Sequence, residues 1–448
     1  MMSSMAPQSQ TDPATAGFAL RPWLVLTALA VLQALATVSV YTALGVNLPL
    51  MVHDERWTWA QAGLGFTVIG AFIGGSSFLP AMLIRKIGVR ATLLFGAVMV
   101  ASGLTLFGLT RGLALYLTAS AFCGIGYQMM AQIPASHVLT ALFRRRSSAL
   151  GLYLTLSSGI GAAGPLAVLG GLRLFHNNWR MIWWSEAAIA LAVGLVCALT
   201  MGGSAWLARA SAALAAKAAA QPVRVRTGRH APTAHSGKDW TVAEAIRTPQ
   251  FYVLLAAWFG HVICLATTAS FAMAHLTQRG VSPLVVGSML TLEGVAGMVW
   301  RLVAGLLGDV VDAKYLLVFA LASLVMGMGA LSVAEGYVSL VVFAIGTGIG
   351  FTVTALAIMV LLRNYFGPAH NLEIFSTICT IGTVAALGPA LGGMLRDRFG
   401  GFAITFELFA VLNSAVLLAA IFMRPPRRSS TAKVALIPSS AAELADAA

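Results

Sequence analysis

Apolar runs long enough to cross a membrane, separated by short polar breaks, constrain this chain more than any other feature. A helix needs about 20 residues to cross about 30 Å of hydrocarbon, and within lipid it satisfies its own backbone polar groups. The runs cover 22–52, 60–84, 91–109, 113–142, 148–173 and 181–207. A second set covers 249–277, 283–308, 315–334, 337–362, 371–395 and 401–423. The expected fold is an all-α integral membrane protein with 12 transmembrane helices. Charge agrees: only 10% of the 448 residues are charged, against roughly 25% in a soluble domain. So little charge cannot cover a surface that faces water.

The loops carry the orientation. With both termini on one side, that side collects Arg21, Arg85, Lys86, Arg90, Arg144, Arg145, Arg146, Arg247, Lys314, Arg363 and Arg424. The other side holds Arg56, Arg111, Arg173, Arg180, Arg279, Arg396 and Arg398. Positive charge stays inside, so both termini are expected to be cytoplasmic. The long break from Ala208 to Arg247, rich in Ala, Pro, Thr and basic residues, has the composition of a linker. The expected organisation is a disordered cytoplasmic tail over 1–21, a six-helix bundle over 22–207, a cytoplasmic linker over 208–248, a second six-helix bundle over 249–423 and a tail over 424–448. The tail before span one lacks the basic-then-apolar pattern of a cleaved signal.

The net charge of +13 sits in loops between apolar runs, so it argues for a membrane topology and against a nucleic-acid partner. Cys123, Cys197, Cys264 and Cys379 all lie inside apolar runs without metal-ligand spacing, as small packing residues do. No metal or other cofactor is implied. The absence of a phosphate-binding Gly-Lys loop argues against ATP-driven pumping, and no catalytic constellation suggests an enzyme.

Shifting the sequence by 224 positions lays Gly70 on Gly294, Arg90 on Lys314, Phe95 on Phe319, Gly112 on Gly336, Gly124 on Gly348 and Gly126 on Gly350. A duplicated pair of six-helix halves suits alternating access, with a solute between them near the midplane.

With these features the chain resembles the major facilitator superfamily over essentially its whole length. The family's loop between spans two and three reads Gly-x-Leu-x-Asp-Arg/Lys-x-Gly-x-Arg/Lys. Here Arg85, Lys86, Gly88 and Arg90 fill the later positions, with Arg85 where the acid belongs. The second-half copy offers Asp309, Asp312 and Lys314. In the family this loop helps latch the outward-open state, a role that suits Asp309 better than Arg85. Within the superfamily the monocarboxylate-transporter-like branch, related to oxalate/formate antiporters, looks closest. The similar stretches are Tyr41–Trp59, Pro134–Gly151 and Gly297–Asp309. The resemblance implies that an intramembrane arginine, here Arg301, meets the substrate carboxylate. The dicarboxylate exchangers of this branch use a second basic residue in span eleven, and 371–395 has none.

The residues also speak directly. Arginine at the centre of a membrane helix costs about 2.5–3.5 kcal/mol on insertion scales, so Arg301 is expected to face a polar cavity, snorkel to the interface or pair within the bundle. Its repeat-equivalent is Ser77, so the charge is not a symmetric structural feature. Glu293 lies eight residues earlier, about 12 Å along the axis and about 80° around it, too far for a direct salt bridge. A shielded carboxyl can load and release a proton, and imidazole titrates near neutrality; Glu293 and His275 are thus the proton-coupling candidates. Neutral hydrogen bonds to a solute are expected from Tyr127, Gln128, Gln132, Asn47 and Tyr41, although polar residues also serve as interhelical contacts. The Gly-Pro stretches at 164–165 and 388–393 are read as close helix packing.

The leading expectation is proton-coupled transport of a small monocarboxylate of the lactate or pyruvate kind, by a protein that works as a monomer in a bacterial inner membrane. The alternative is a proton-driven antiporter that exports a hydrophobic or drug-like compound. It calls for an acidic, aromatic cavity, whereas the most central charge here is positive.

Overall fold

The computed structural model describes residues 13–130, 132–201, 206, 209, 212, 239–307 and 311–426. Among them every regular element is helical. Eleven helices are long and apolar enough to cross a membrane, and Trp59–Gly75 is a shorter apolar twelfth. The helical stretch Leu79–Gly108 is two pieces, because the chain bends at Gly88, where φ is 84°. Residues 79–87 therefore complete span two, and 89–108 form span three. Only glycine takes that backbone conformation at little cost, so the motif glycine makes the turn between the spans.

The apolar runs predict the spans but not their breaks. Span one runs Pro22–Glu55, yet within it Val38–Thr42 forms a π turn. Span five divides into Arg146–Ala162 and Gly164–Leu174, with Pro165 opening the second piece. Span eleven passes from Asn371–Gly382 through a 3-10 turn at Thr383–Leu387 into Gly388–Phe399, again with a proline in the first turn. Proline lacks the N–H that would continue the ladder, so each restarts a helix. Span six ends at Thr200, short of the expected 207.

Two boundaries differ from the sequence reading. The first helix begins at Pro13, so residues 13–21 continue span one rather than forming a disordered tail; 1–12 lie outside the described residues. Most of the expected linker also lies outside them. From 239 the chain is folded: the Trp240 N–H donates to the Phe366 carbonyl at 3.0 Å, and Thr241 with Glu244 forms a capping box on the short helix Val242–Ala245. The tail over 427–448 lies outside the described residues.

The exterior is apolar, with Trp23, Leu195, Leu199, Tyr337, Val338 and Phe422 among the large exposed side chains. Such a surface calls for lipid. Inside, the 224-residue offset reappears as contacts. A Cβ on Gly124 would stand 2.7 Å from the Ile69 carbonyl oxygen, and one on Gly348 would stand 2.3 Å from that of Glu293. Gly126 likewise meets Val100 where Gly350 meets Leu324. Ile69 and Glu293, and Val100 and Leu324, are themselves 224 apart. Spans two and four thus approach each other as spans eight and ten do.

Candidate functional site

Arg301 sits on the eighth span, Pro283–Leu307, and is half-buried. Its Nη1 donates to the Ser158 hydroxyl at 2.9 Å and to the Leu154 carbonyl at 3.2 Å, both on span five. A guanidinium has five N–H donors, two of them on Nη1. The edge formed by Nε and Nη2 keeps the geometry that grips a carboxylate bidentately. Arg301 therefore joins the two parts of the sequence and still holds donors in reserve. Glu293, on the same helix, is half-buried and has neither a hydrogen-bond nor an ion-pair partner among the described residues. The two charges do not pair.

Facing spans of the first half present a hydrogen-bonded group that the sequence only partly revealed. Gln33 Nε2 donates to the Tyr127 hydroxyl at 3.0 Å, and the Tyr153 hydroxyl donates to Gln33 Oε1 at 3.1 Å. The hydroxyls of Thr37 and Tyr127 lie 3.4 Å apart. Tyr41, on the π turn, sets its ring edge-on to Tyr127 at 5.8 Å. Tyr127 and Tyr41 are half-buried, whereas Gln33 and Tyr153 lie behind them. Gln33 and Tyr153 were not among the expected site residues. A polar side chain in the middle of an apolar run was the signal that marks Gln33; nothing local marks Tyr153.

Other expected residues have different surroundings. Gln128 gives its amide to the Ile73 carbonyl at 2.9 Å, an acceptor left over where the first helix of span two ends at Gly75. That bond makes it a helix-end partner rather than an open donor. The Gln132 side chain lies outside the described residues. Asn47 is fully buried, with neither amide atom partnered among the described residues. His275 is buried: its Nε2 meets the Leu331 carbonyl at 2.8 Å, and its ring packs on Phe402 and Phe406. A second imidazole, His261, was overlooked. It is 6% exposed, lies against Trp258 and Phe351, and leaves Nδ1 without a partner among the described residues.

In the loop motif, Arg85, Lys86 and Arg90 are exposed around the Gly88 turn. Asp309 lies outside the described residues. Asp312 accepts from the Lys314 backbone N–H at 2.9 Å and caps span nine.

At the end of the molecule where span one gives way to span two, the first and second halves are sealed together. Asp397 accepts from the Trp59 N–H at 3.1 Å and from the Ala60 N–H at 2.9 Å. These are first-turn donors of Trp59–Gly75, which an anion satisfies while complementing the helix dipole. Arg396 lies over the Trp59 ring at 5.3 Å, and Trp59 packs edge-on to Phe402. Below them Gly63 meets the Pro389 backbone and Gly393 meets that of Trp59, so the glycines of GPALGG are interhelical contacts. Asp397 was missed although it had a signal. An acid in the last turn of its own helix is unfavourably placed unless another helix end uses it.

A family model described as the Major Facilitator Superfamily matches residues 29–382. Monocarboxylate transporter 2 of Meriones unguiculatus is 24% identical over 364 residues, which cover 77% of this chain and 71% of that protein. The Oxalate:formate antiporter of Oxalobacter formigenes is 23% identical over 420 residues, covering 86% and 91%. Among solved structures, the nucleoside transporter NupG is similar with a TM-score of 0.67 at 13% identity, over 89% of this chain and 98% of that one. A bacterial homolog of the human lysosomal transporter Spinster gives 0.62 at 16% identity, over 90% and 97%. At those identities the solved structures speak for the fold alone. The relatives and the structural neighbours are transporters, and the chain is a multi-pass membrane protein.

Proposed function

The chain belongs to the major facilitator superfamily, and from that premise we propose that it carries a small organic monocarboxylate together with a proton. The observation that carries the proposal is the Arg301 guanidinium. Its Nη1 is held by span five, and the Nε/Nη2 edge has no partner among the described residues. A carboxylate on that edge gains a bidentate, charge-assisted pair. Tyr127 and Tyr41 supply a hydroxyl and an aromatic face from the first half. Glu293, open and unpaired, is the group that takes the proton, so that charge is compensated as the solute enters. The similarity to monocarboxylate transporters supports an organic anion, and the lack of a second basic residue within 371–395 favours a monoanion over a dianion.

Loop charge puts both termini, and so the Arg85–Arg90 turn, on the cytoplasmic side of a bacterial inner membrane. On that orientation the Asp397 seal closes the outer end, and the Arg301 site opens inward when the two halves, 22–207 and 249–423, rock against each other as a monomer.

The test is uptake of radiolabelled lactate and pyruvate into proteoliposomes, with and without an inward proton gradient, over a protein-free baseline. Saturable, gradient-stimulated uptake is expected. Arg301→Lys is expected to lower it about tenfold or more, because lysine keeps the charge but loses the fork. Wild-type uptake by that variant at matched expression would exclude the carboxylate role. Gradient-driven movement of a lipophilic cation, with no carboxylate uptake, would instead favour export of a drug-like compound.

A further inference from the structure

Glu186 lies on span six, Trp179–Thr200, seven residues past its start. It is 8% exposed, and its Oε2 has no hydrogen-bond partner among the described residues. Two neighbours define its setting. Ser39 of the π turn in span one lies beside the carboxyl, its own Oγ buried and likewise without a hydrogen-bond partner among the described residues, and Cys123 on span four is a buried free thiol nearby. Arg180, the cation nearest along its own helix, is committed to Glu55 at 2.7 Å and to the Thr110 carbonyl. Spans three and five pack on span six through Ala97 against Gly194 and Gly171 against Ile182, with no charge in either contact. Burying an ionised carboxylate without a cation is far costlier than burying the same carboxyl in its neutral form. The 224-residue equivalent of Glu186 is Ala410, so the fold does not require an acid here.

We propose that Glu186 and Ser39 form a second proton site, in the first half, with the carboxyl held neutral in this conformation and the proton released when span one rearranges. The π turn supplies the moving part. Such turns are rare and concentrate at functional sites, and moving the turn by one residue would rotate Ser39 about 100° around the axis. The carboxyl would then lose its hydroxyl neighbour and reach water through the space Ser39 vacates. The proposal adds to the transport reading but does not need the solute to be known.

The test is pH-difference infrared spectroscopy of the full chain reconstituted in lipid. At neutral pH the wild type is expected to show a protonated-carboxyl stretch that is absent from Glu186→Gln and bleaches as pH rises. Glu186→Asp should keep a shifted band, which guards against a misfolded Gln variant. Identical spectra for wild type and Glu186→Gln would overturn the proposal. So would a Glu186 band that survives throughout the alkaline range, since a permanently neutral carboxyl moves no proton. No solute enters this experiment, so its failure is distinct from failure of the monocarboxylate reading.

Discussion

The two halves share their helix contacts and differ in what they do with polar side chains. At the 224-residue offset, Gln33, Thr37 and Tyr127 correspond to Ala257, His261 and Phe351. The first set is hydrogen-bonded together; in the second an imidazole lies between aromatic rings with one nitrogen unpartnered among the described residues. Glu293 and Arg301 stand where the first half has Ile69 and Ser77, and Glu186 stands where the second has Ala410. Backbone approach recurs at the 224-residue offset because it is set by small residues. Charge is not, because each buried charge needs a local reason. The difference teaches that scaffold and chemistry are written at different positions of the same repeat.

The largest expected effect tests whether the scaffold is shared. Gly348→Ala sets a Cβ against the Glu293 carbonyl, and Gly124→Ala does the same at Ile69. Neither neighbour is a flexible side chain, so both variants should lose about 1–3 kcal/mol of stability, as overpacking does. The Gly348 variant should lose more, at 2.3 Å against 2.7 Å. Thermal unfolding in detergent measures both. Loss in one half only would break the equivalence of the spans two–four and eight–ten contacts.

A smaller effect is expected at the seal. Asp397→Asn keeps one acceptor oxygen but removes the charge that complements the first turn of Trp59–Gly75. The sealed form should weaken by about 1 kcal/mol. Modification of a cysteine placed at Ala60 by a membrane-impermeant reagent should then speed up about fivefold. An unchanged rate would mean that the Gly63 and Gly393 approaches hold that end without the carboxylate.

The all-helical membrane fold was legible because lipid simplifies the code: span length is a local quantity and can be counted. The breaks at Val38–Thr42 and Thr383–Leu387 were not legible, since a π or 3-10 turn is chosen by what packs on it. The site was half legible. Rare polar residues in apolar runs drew attention to Arg301, which reaches span five, and to Tyr127 and Tyr41, which meet edge-on. The surroundings of Gln128 and His275 were not legible, as a side chain's partner cannot be seen from its own helix: one serves the Ile73 carbonyl and the other meets the Leu331 carbonyl. Asp397 meets Trp59 across 338 positions of sequence, a pairing that only the folded chain reveals.

The smallest expected effect sharpens the comparison most. Tyr153 donates to Gln33 from span five, one residue before the carbonyl that accepts from Arg301. Its repeat-equivalent is Thr377, whose hydroxyl bonds only to its own helix, at the Glu373 carbonyl. If the first-half network is scaffold, Tyr153→Phe removes one buried hydrogen bond and costs about 1 kcal/mol. Unfolding should register that loss while the KM for the carried carboxylate stays within about twofold. If the network instead positions Tyr127 for the solute, KM should rise while stability hardly moves, because Gln33 can turn its amide oxygen elsewhere. A rise in KM without a loss of stability would place binding chemistry in both halves. The division between a hydrogen-bonded first half and an open, charged second half would then no longer hold.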